Sequence, residues 1–325
     1  MERIDGYMNL DSAIEKINIK DAFKTDIKGY YYRFSIGDEN DNDYYFKECS
    51  EEEAVAELLA SEMLGILGIE HVKYDMAIIN GRRGVISESF KRPGYKYYAG
   101  KKIIDDYLNG LPDEIEKNSG TELGQILQNE YDDYKDELDE ACTRNNFELI
   151  FHAVEYHTKG RKNGKTEKGK ILDSLVTCHL ADIILLNQDR NRSNWLVEEN
   201  DEEARLSKIF DNGEAFKDRG WTALRVIPLD RSSKKTDTYI ELRDFILRSD
   251  NEYFERFKSM FSKLSPDVLE SCLEKVEKKI KTNVSPELRS KIICTYKKHY
   301  EKLGKMIDTK CMVLPDGDDG EYEDR

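Results

Sequence analysis

Three polar residues late in the chain have the types and the order that phosphoryl transfer requires. Asp189 and Asn194 stand five apart in the polar stretch NQDRNRSNWLV, and Asp211 follows in IFDNGEAF. Moving a phosphoryl group asks little covalent chemistry of a protein. It asks for a carboxylate that orients or deprotonates the attacking hydroxyl, and for hard oxygen ligands that hold Mg²⁺ against nucleotide phosphates. Taken singly the parts are weak, because Asp and Asn are common turn formers and Asp-Asn-Gly is by itself a hairpin turn. Their order gives them weight, together with a phosphate-binding candidate upstream.

That candidate is Lys47, which ends the aromatic run YYFK. A lysine at the end of a strand beneath a hairpin can bind nucleotide phosphates, and it needs a carboxylate from a neighbouring helix to fix its position. Glu57, ten residues on, is the natural partner; Glu53, one helical turn earlier, competes with it. The plainer reading makes all three ordinary surface charges.

The elements that must position these groups can be read in outline. GYYYRFSIGDENDNDYYFK, residues 29–47, has two aromatic-rich runs around a Gly/Asp/Asn turn and predicts a hairpin. EEEAVAELLASEMLGILGI follows, with Val55, Leu58, Leu59, Met63 and Ile66 at helical spacing behind an acidic first turn. VKYDMAIINGRRGVISESF predicts two more strands around Asn80-Gly81, so the first third reads as a small antiparallel sheet carrying one helix. From about residue 100 the periodicity is helical, with segments near 101–109, 121–130, 144–157 and 171–187. The Lys/Gly-rich stretch 158–170 reads as a mobile loop, either a solvated linker or a patch for an anionic partner. The apolar run ending at Asn187, the strand WLV and a further strand before Asp211 would bring Asp189, Asn194 and Asp211 to one end of a hairpin. Residues 239–310 are helical again, with Ser265-Pro266 and Ser285-Pro286 as helix starts, and 315–325 is an acidic tail expected to be disordered.

Composition excludes several classes. The chain has 325 residues, enough for two lobes with cores of their own, and a formal net charge of −15. That charge argues against direct nucleic-acid binding, which needs a surplus of Lys and Arg. No apolar run is long enough to span a bilayer and MERIDGYMNLDSAIEK has no signal-peptide core, so a soluble, cytoplasmic protein is expected. The six cysteines are scattered without a CxxC pair and read mostly as buried thiols rather than disulfides or zinc ligands. His152 and His157 are five apart, which is not a one-face metal pair, and read as helix-surface residues.

The D-x-x-x-x-N spacing with a later Asp-x-Gly is that of a kinase catalytic loop and its magnesium aspartate. The blocks YYFKECSEEEAVAELLASEMLGILGIEHVKYDMAIINGRRGVISESF and NQDRNRSNWLV with IFDNGEAF resemble the HipA-like kinases, in particular a compact bacterial subgroup with the kinase body only. The resemblance covers roughly residues 25 to 220. It implies an α+β, two-lobed, protein-kinase-like fold: a sheet-based N-lobe over 1–92, a mainly helical C-lobe over 93–314 and the tail 315–325. It implies ATP- and Mg²⁺-dependent phosphorylation of a serine or threonine hydroxyl on a protein, in a toxin-like or effector-like role. Asp189 would be the catalytic base or hydroxyl-orienting group, Asn194 and Asp211 the Mg²⁺ ligands, and Lys47 the phosphate-binding lysine supported by Glu57. The backbone of Glu88, Ser89 and Phe90 would form the adenine hinge, and the phosphate-covering loop would lie near Thr25–Tyr30. Implied partners are a protein substrate and an antitoxin or other regulator, with no direct nucleic acid and no membrane. Asn191 departs from the family's histidine in the catalytic loop, exchanging a titrating imidazole for an amide. A small-molecule phosphotransferase and a pseudokinase that only binds nucleotide or partner are the alternatives.

Overall fold

Asn80 and Gly81 both take the left-handed backbone conformation, φ +54° and +70°, which a two-residue hairpin turn requires. They join β6 (Tyr74–Ile79) to β7 (Arg82–Glu88), an antiparallel pair with Ile79 opposite Arg82. In this computed structural model the described residues are 3–11, 17–25, 29–36, 43–134, 147–187, 189–217 and 252–309. Beside the hairpin stand β1 (Arg3–Ile4), β2 (Tyr7–Asn9), β3 (Ile17–Thr25), β4 (Gly29–Ile36) and β5 (Asp43–Glu48). The sheet order is β1-β2-β6-β7-β5-β4-β3. The hairpin expected over 29–47 is present as β4 and β5, paired from Tyr31 opposite Lys47 to Ser35 opposite Asp43. The sheet is larger than the sequence suggested and not wholly antiparallel: β2 runs parallel to β6. The expected phosphate-covering loop falls on the β3–β4 connection, whose residues 26–28 lie outside the described residues.

Helix α1 (Glu51–Leu67) begins with a reciprocal capping box. The Ser50 hydroxyl accepts the Glu53 N–H, and the Glu53 carboxylate accepts the Ser50 N–H at 3.0 Å. Gly68 ends it in the left-handed conformation. Val55, Leu58, Leu59 and Met63 are buried, as their spacing predicts, whereas Ile66 is 38% exposed.

A second sheet follows, formed by β8 (Lys96–Ala99), β9 (Leu196–Glu199) and β10 (Ala204–Leu206) in the order β10-β9-β8. Sheet membership therefore changes between Glu88 and Lys96. Around it lie α2 (Gly100–Lys117), α3 (Glu122–Tyr134), α4 (Phe147–Thr158), α5 (Gly164–Leu185), α6 (Glu252–Lys263), α7 (Pro266–Ile280) and α8 (Pro286–Thr309). Helix α5 ties two cores together. Ile171 and Leu175 pack with α2, α4 and the small sheet, while Leu180, Ile184 and Leu185 pack with α1 and α6 to α8.

The loop expected over 158–170 is much shorter. Only a tight turn separates α4 from α5, which starts at Gly164, where a Cβ would stand 2.2 Å from the Thr158 carbonyl. His152 and His157 are half-buried rather than on the surface: His152 stacks on Tyr107, and His157 pairs with Glu199 at 3.2 Å. Cys178 and Cys272 are buried, Cys49 partly so, and Cys294 is exposed. Cys142, Cys311, the tail 315–325 and the first part of the helical tract 239–310 lie outside the described residues. No helix among the described residues is long and apolar enough to cross a membrane.

Candidate active site

Gly84 sets the floor on which the site is built. It stands opposite Glu48 across the β5–β7 ladder, and a Cβ there would lie 2.0 Å from the Lys47 carbonyl. This close approach fixes the strand carrying Lys47. The Lys47 ammonium ion-pairs directly with Asp211 and lies 3.7 Å from Glu57 Oε1. Glu57 is 1% exposed and its second oxygen accepts the Asn212 backbone N–H at 2.8 Å. Burial raises its carboxyl to about 7, against the opposing pull of the Lys47 charge, because a carboxylate out of water is costly. Glu53, the competing partner, is engaged at the helix cap with Ser50. The Asp211 backbone is left-handed, φ +58°, and its N–H donates to the buried Tyr74 hydroxyl at 3.2 Å.

The Asp189–Asn194 loop follows α5, whose C-cap Leu186 is left-handed. It is organised by Arg190, which is buried at 3% exposure. Its guanidinium grips both Asp182 oxygens, at 3.0 and 3.1 Å. It also donates to the carbonyls of Asn194 at 2.9 Å and Phe210 at 2.5 Å, and to Asn212 Oδ1 at 2.6 Å. One side chain thus pins the loop bearing Asp189 and Asn194 onto the segment bearing Asp211. Asn187 adds a bond from its amide to Asp182 Oδ1 at 2.9 Å. Sequence reasoning missed Asp182, Arg190, Asn187, Asn212 and Tyr74. The one available signal was Asp182 itself, a carboxylate inside the apolar run LADIILL.

Within the loop, the Asn194 amide nitrogen donates to the Asp189 carbonyl at 2.5 Å and approaches its carboxylate at 3.4 Å. That orientation leaves Asn194 Oδ1 as the oxygen available to an ion. Asn191, which stands where the resemblance implies histidine, donates to Asp189 Oδ1 at 3.2 Å and accepts the Ser193 N–H at 2.8 Å. The amide therefore holds the Asp189 carboxylate without titrating. Among the described residues no three or more His, Cys, Asp or Glu side chains gather as a metal cluster. An Asp carboxylate and an Asn carbonyl nevertheless fit Mg²⁺, which takes one or two protein oxygens and completes its shell with water and phosphate.

The expected hinge segment lies beside the same site. The Phe90 ring stacks on Phe210, centroids 5.7 Å apart and planes at 19°, directly next to Asp211. Glu88 ends β7 opposite Tyr44, and the Ser89 hydroxyl accepts the Lys91 N–H at 3.3 Å. The structure thus gathers Lys47, Glu57, Asp211, Asp189 and Asn194 into one network and sets Phe90 against it.

The fold is kinase-like, with a sheet-based part carrying Lys47 and Glu57 and a mainly helical part carrying the loops. Among solved structures, the chain is similar to a Helicobacter pylori proinflammatory kinase, CtkA, with TM-score 0.53 and 15% identity over 91% of this chain and 98% of that one. It is also similar to a chain of the Shewanella oneidensis MR-1 toxin–antitoxin complex of HipA, HipB and operator DNA, with TM-score 0.46 and 9% identity over 91% of this chain and 65% of that one. No protein-family model matches the chain, and no curated protein matches it.

Proposed function

We propose that this chain is an ATP- and Mg²⁺-dependent serine/threonine protein kinase of the HipA-like type, with an N-lobe over residues 1–92 and a C-lobe from residue 93. One observation carries the reading. The Lys47 ammonium is shared between Glu57 and Asp211 while Arg190 locks the Asp189–Asn194 loop to the same segment. A lysine held by a helix carboxylate next to an acidic loop is an arrangement for gripping and transferring a phosphoryl group. In this reading Lys47 binds the ATP phosphates and Glu57 holds it in place. The backbone of Glu88, Ser89 and Phe90 receives the adenine, and Asp189 orients the acceptor hydroxyl. Asn194 and Asp211 would hold Mg²⁺, which when bound offsets phosphate charge. The acceptor is a serine or threonine on another protein in the cytoplasm, and an antitoxin-like regulator is the expected partner.

The test is transfer of label from γ-labelled ATP to a generic protein substrate in the presence of Mg²⁺. Asp189→Ala and Asp211→Ala should each reduce transfer on the order of a hundredfold or more, the first by removing the group that orients the acceptor hydroxyl and the second by removing an Mg²⁺ ligand. Full transfer by both variants would refute the assignment. So would binding of ATP without any transfer by the wild-type protein.

A further inference from the structure

At the end of α5 far from this site the helices border an open cavity of about 680 Å³. Helix α5 has 22 residues, so its Gly164 end lies about 33 Å from the loop that follows Leu185. None of the residues lining this cavity belongs to the phosphate site. Its wall is aromatic: Tyr107 stacks on His152 at 6.2 Å and meets Tyr156 at 5.7 Å. Gly110 allows that wall to form, since a Cβ there would stand 2.5 Å from the Tyr156 hydroxyl. Its floor includes Leu123 and Ile126 of α3, which are 51% and 50% exposed. Large apolar side chains left half in water beside an aromatic groove offer apolar surface that a partner can cover.

The rim decides what covers it. Residues 158–170 carry six basic side chains and one acid, in a chain whose net charge is −15. Lys159, Arg161, Lys165 and Lys168 line the cavity. Arg161 is held by Glu167 and Glu199, and Lys168 pairs with Glu155. Lys159 and Lys165 are exposed and have no ion-pair partner among the described residues. Positive charge is thus concentrated around this groove in an otherwise acidic molecule, and among the described residues Glu114 and Glu155 are the acids on its lining.

We infer that this groove docks an acidic amphipathic segment of a partner protein, with apolar anchors entering between α2, α3 and α4 and carboxylates meeting Lys159 and Lys165. Apolar burial supplies the affinity; the rim charges select an acidic flank over a basic one. The inference does not depend on phosphoryl transfer.

The probe is a fluorescein-labelled helical peptide of roughly 16 residues with leucines at i, i+4 and i+7 and glutamates elsewhere, followed by fluorescence anisotropy with the full chain. We expect a dissociation constant on the order of 10 µM. Binding should weaken at least about tenfold for Ile126→Glu and for the pair Lys159→Glu with Lys165→Glu, and should stay unchanged for Asp211→Ala. Ile126, Lys159 and Lys165 are exposed, so the melting curves of the groove variants should match the wild type. A leucine-to-serine peptide should not bind, and a glutamate-to-lysine peptide should bind at least about tenfold more weakly. Absence of binding, or equal binding of the acidic and basic peptides, would overturn the inference. Two further results would also overturn it by naming another occupant: a dimer dispersed by Ile126→Glu, or tighter peptide binding once residues 311–325 are removed.

Discussion

Arg190 shows why single residues in this site cannot be valued by their charge alone. Its guanidinium is buried with Asp182, and a buried ion pair contributes little net stability, yet breaking one by removing a partner is costly. Arg190→Ala should therefore lose about 3–5 kcal/mol in chemical denaturation, because Asp182 is left charged without its main partner. Replacing both, Asp182→Leu with Arg190→Met, should recover part of that stability, since the carbonyls of Asn194 and Phe210 still lose their donor, while phosphoryl transfer stays lost. Recovery of transfer along with stability would show that Arg190 only holds the fold. At this scale the sequence was legible where residue type dictates chemistry. Asp189, Asn194, Asp211 and Lys47 could be picked out as candidates by their order and spacing, and the fold brings them into one network. Arg190 could not, since an arginine in NQDRNRSN reads as a solvated charge until the chain closes over it.

Elements place those residues, and two of them meet at Gly84. The β5–β7 ladder brings the Lys47 backbone so near that a Cβ on Gly84 would clash with a carbonyl and with Glu48 Cα at 2.9 Å, and backbone atoms cannot swing aside as side chains do. Gly84→Ala should cost about 1–3 kcal/mol, as overpacking does, and should raise the KM for ATP more than it lowers kcat, since it displaces the lysine proposed to bind ATP and not Asp189. Thermal melting and steady-state kinetics read the two effects; a pure fall in kcat would contradict this placement of Lys47. Helix α1 and the β6–β7 hairpin were readable because capping, period and turn chemistry agree locally. Strands β1 and β2 were not, being two and three residues long and held by pairing that local sequence does not encode. The first turns of α5 were missed for a related reason. GKTEKGK has no apolar stripe, so its helix is set by the buried residues that follow it.

Across the whole molecule the site is a joint. Lys47 and Glu57 come from the sheet-based part, whereas Asp189, Asn194 and Asp211 come from the helical part, and the two are linked there by Lys47 to Asp211 and by Asn212 to Glu57. A short parallel bridge of His71 with Ile209 and the Lys279 bond to the Tyr74 carbonyl at 2.5 Å add to the join. A ligand gripping both sides should stabilise the folded chain as a unit, by about 2.7 kcal/mol at a hundred times its dissociation constant. That corresponds to a rise in melting temperature of several degrees for a chain of this size. On the proposed assignment ATP with Mg²⁺ should give the full rise and ATP with EDTA a smaller one, because Asp211 and Asn194 would reach phosphate only through the ion while Lys47 would reach it directly. Asp211→Asn should erase the difference between the two conditions and leave the EDTA rise in place, since the lysine remains. If Asp211→Asn instead keeps the full magnesium-dependent rise, the ion is held elsewhere and the joint is closed by Lys47 alone.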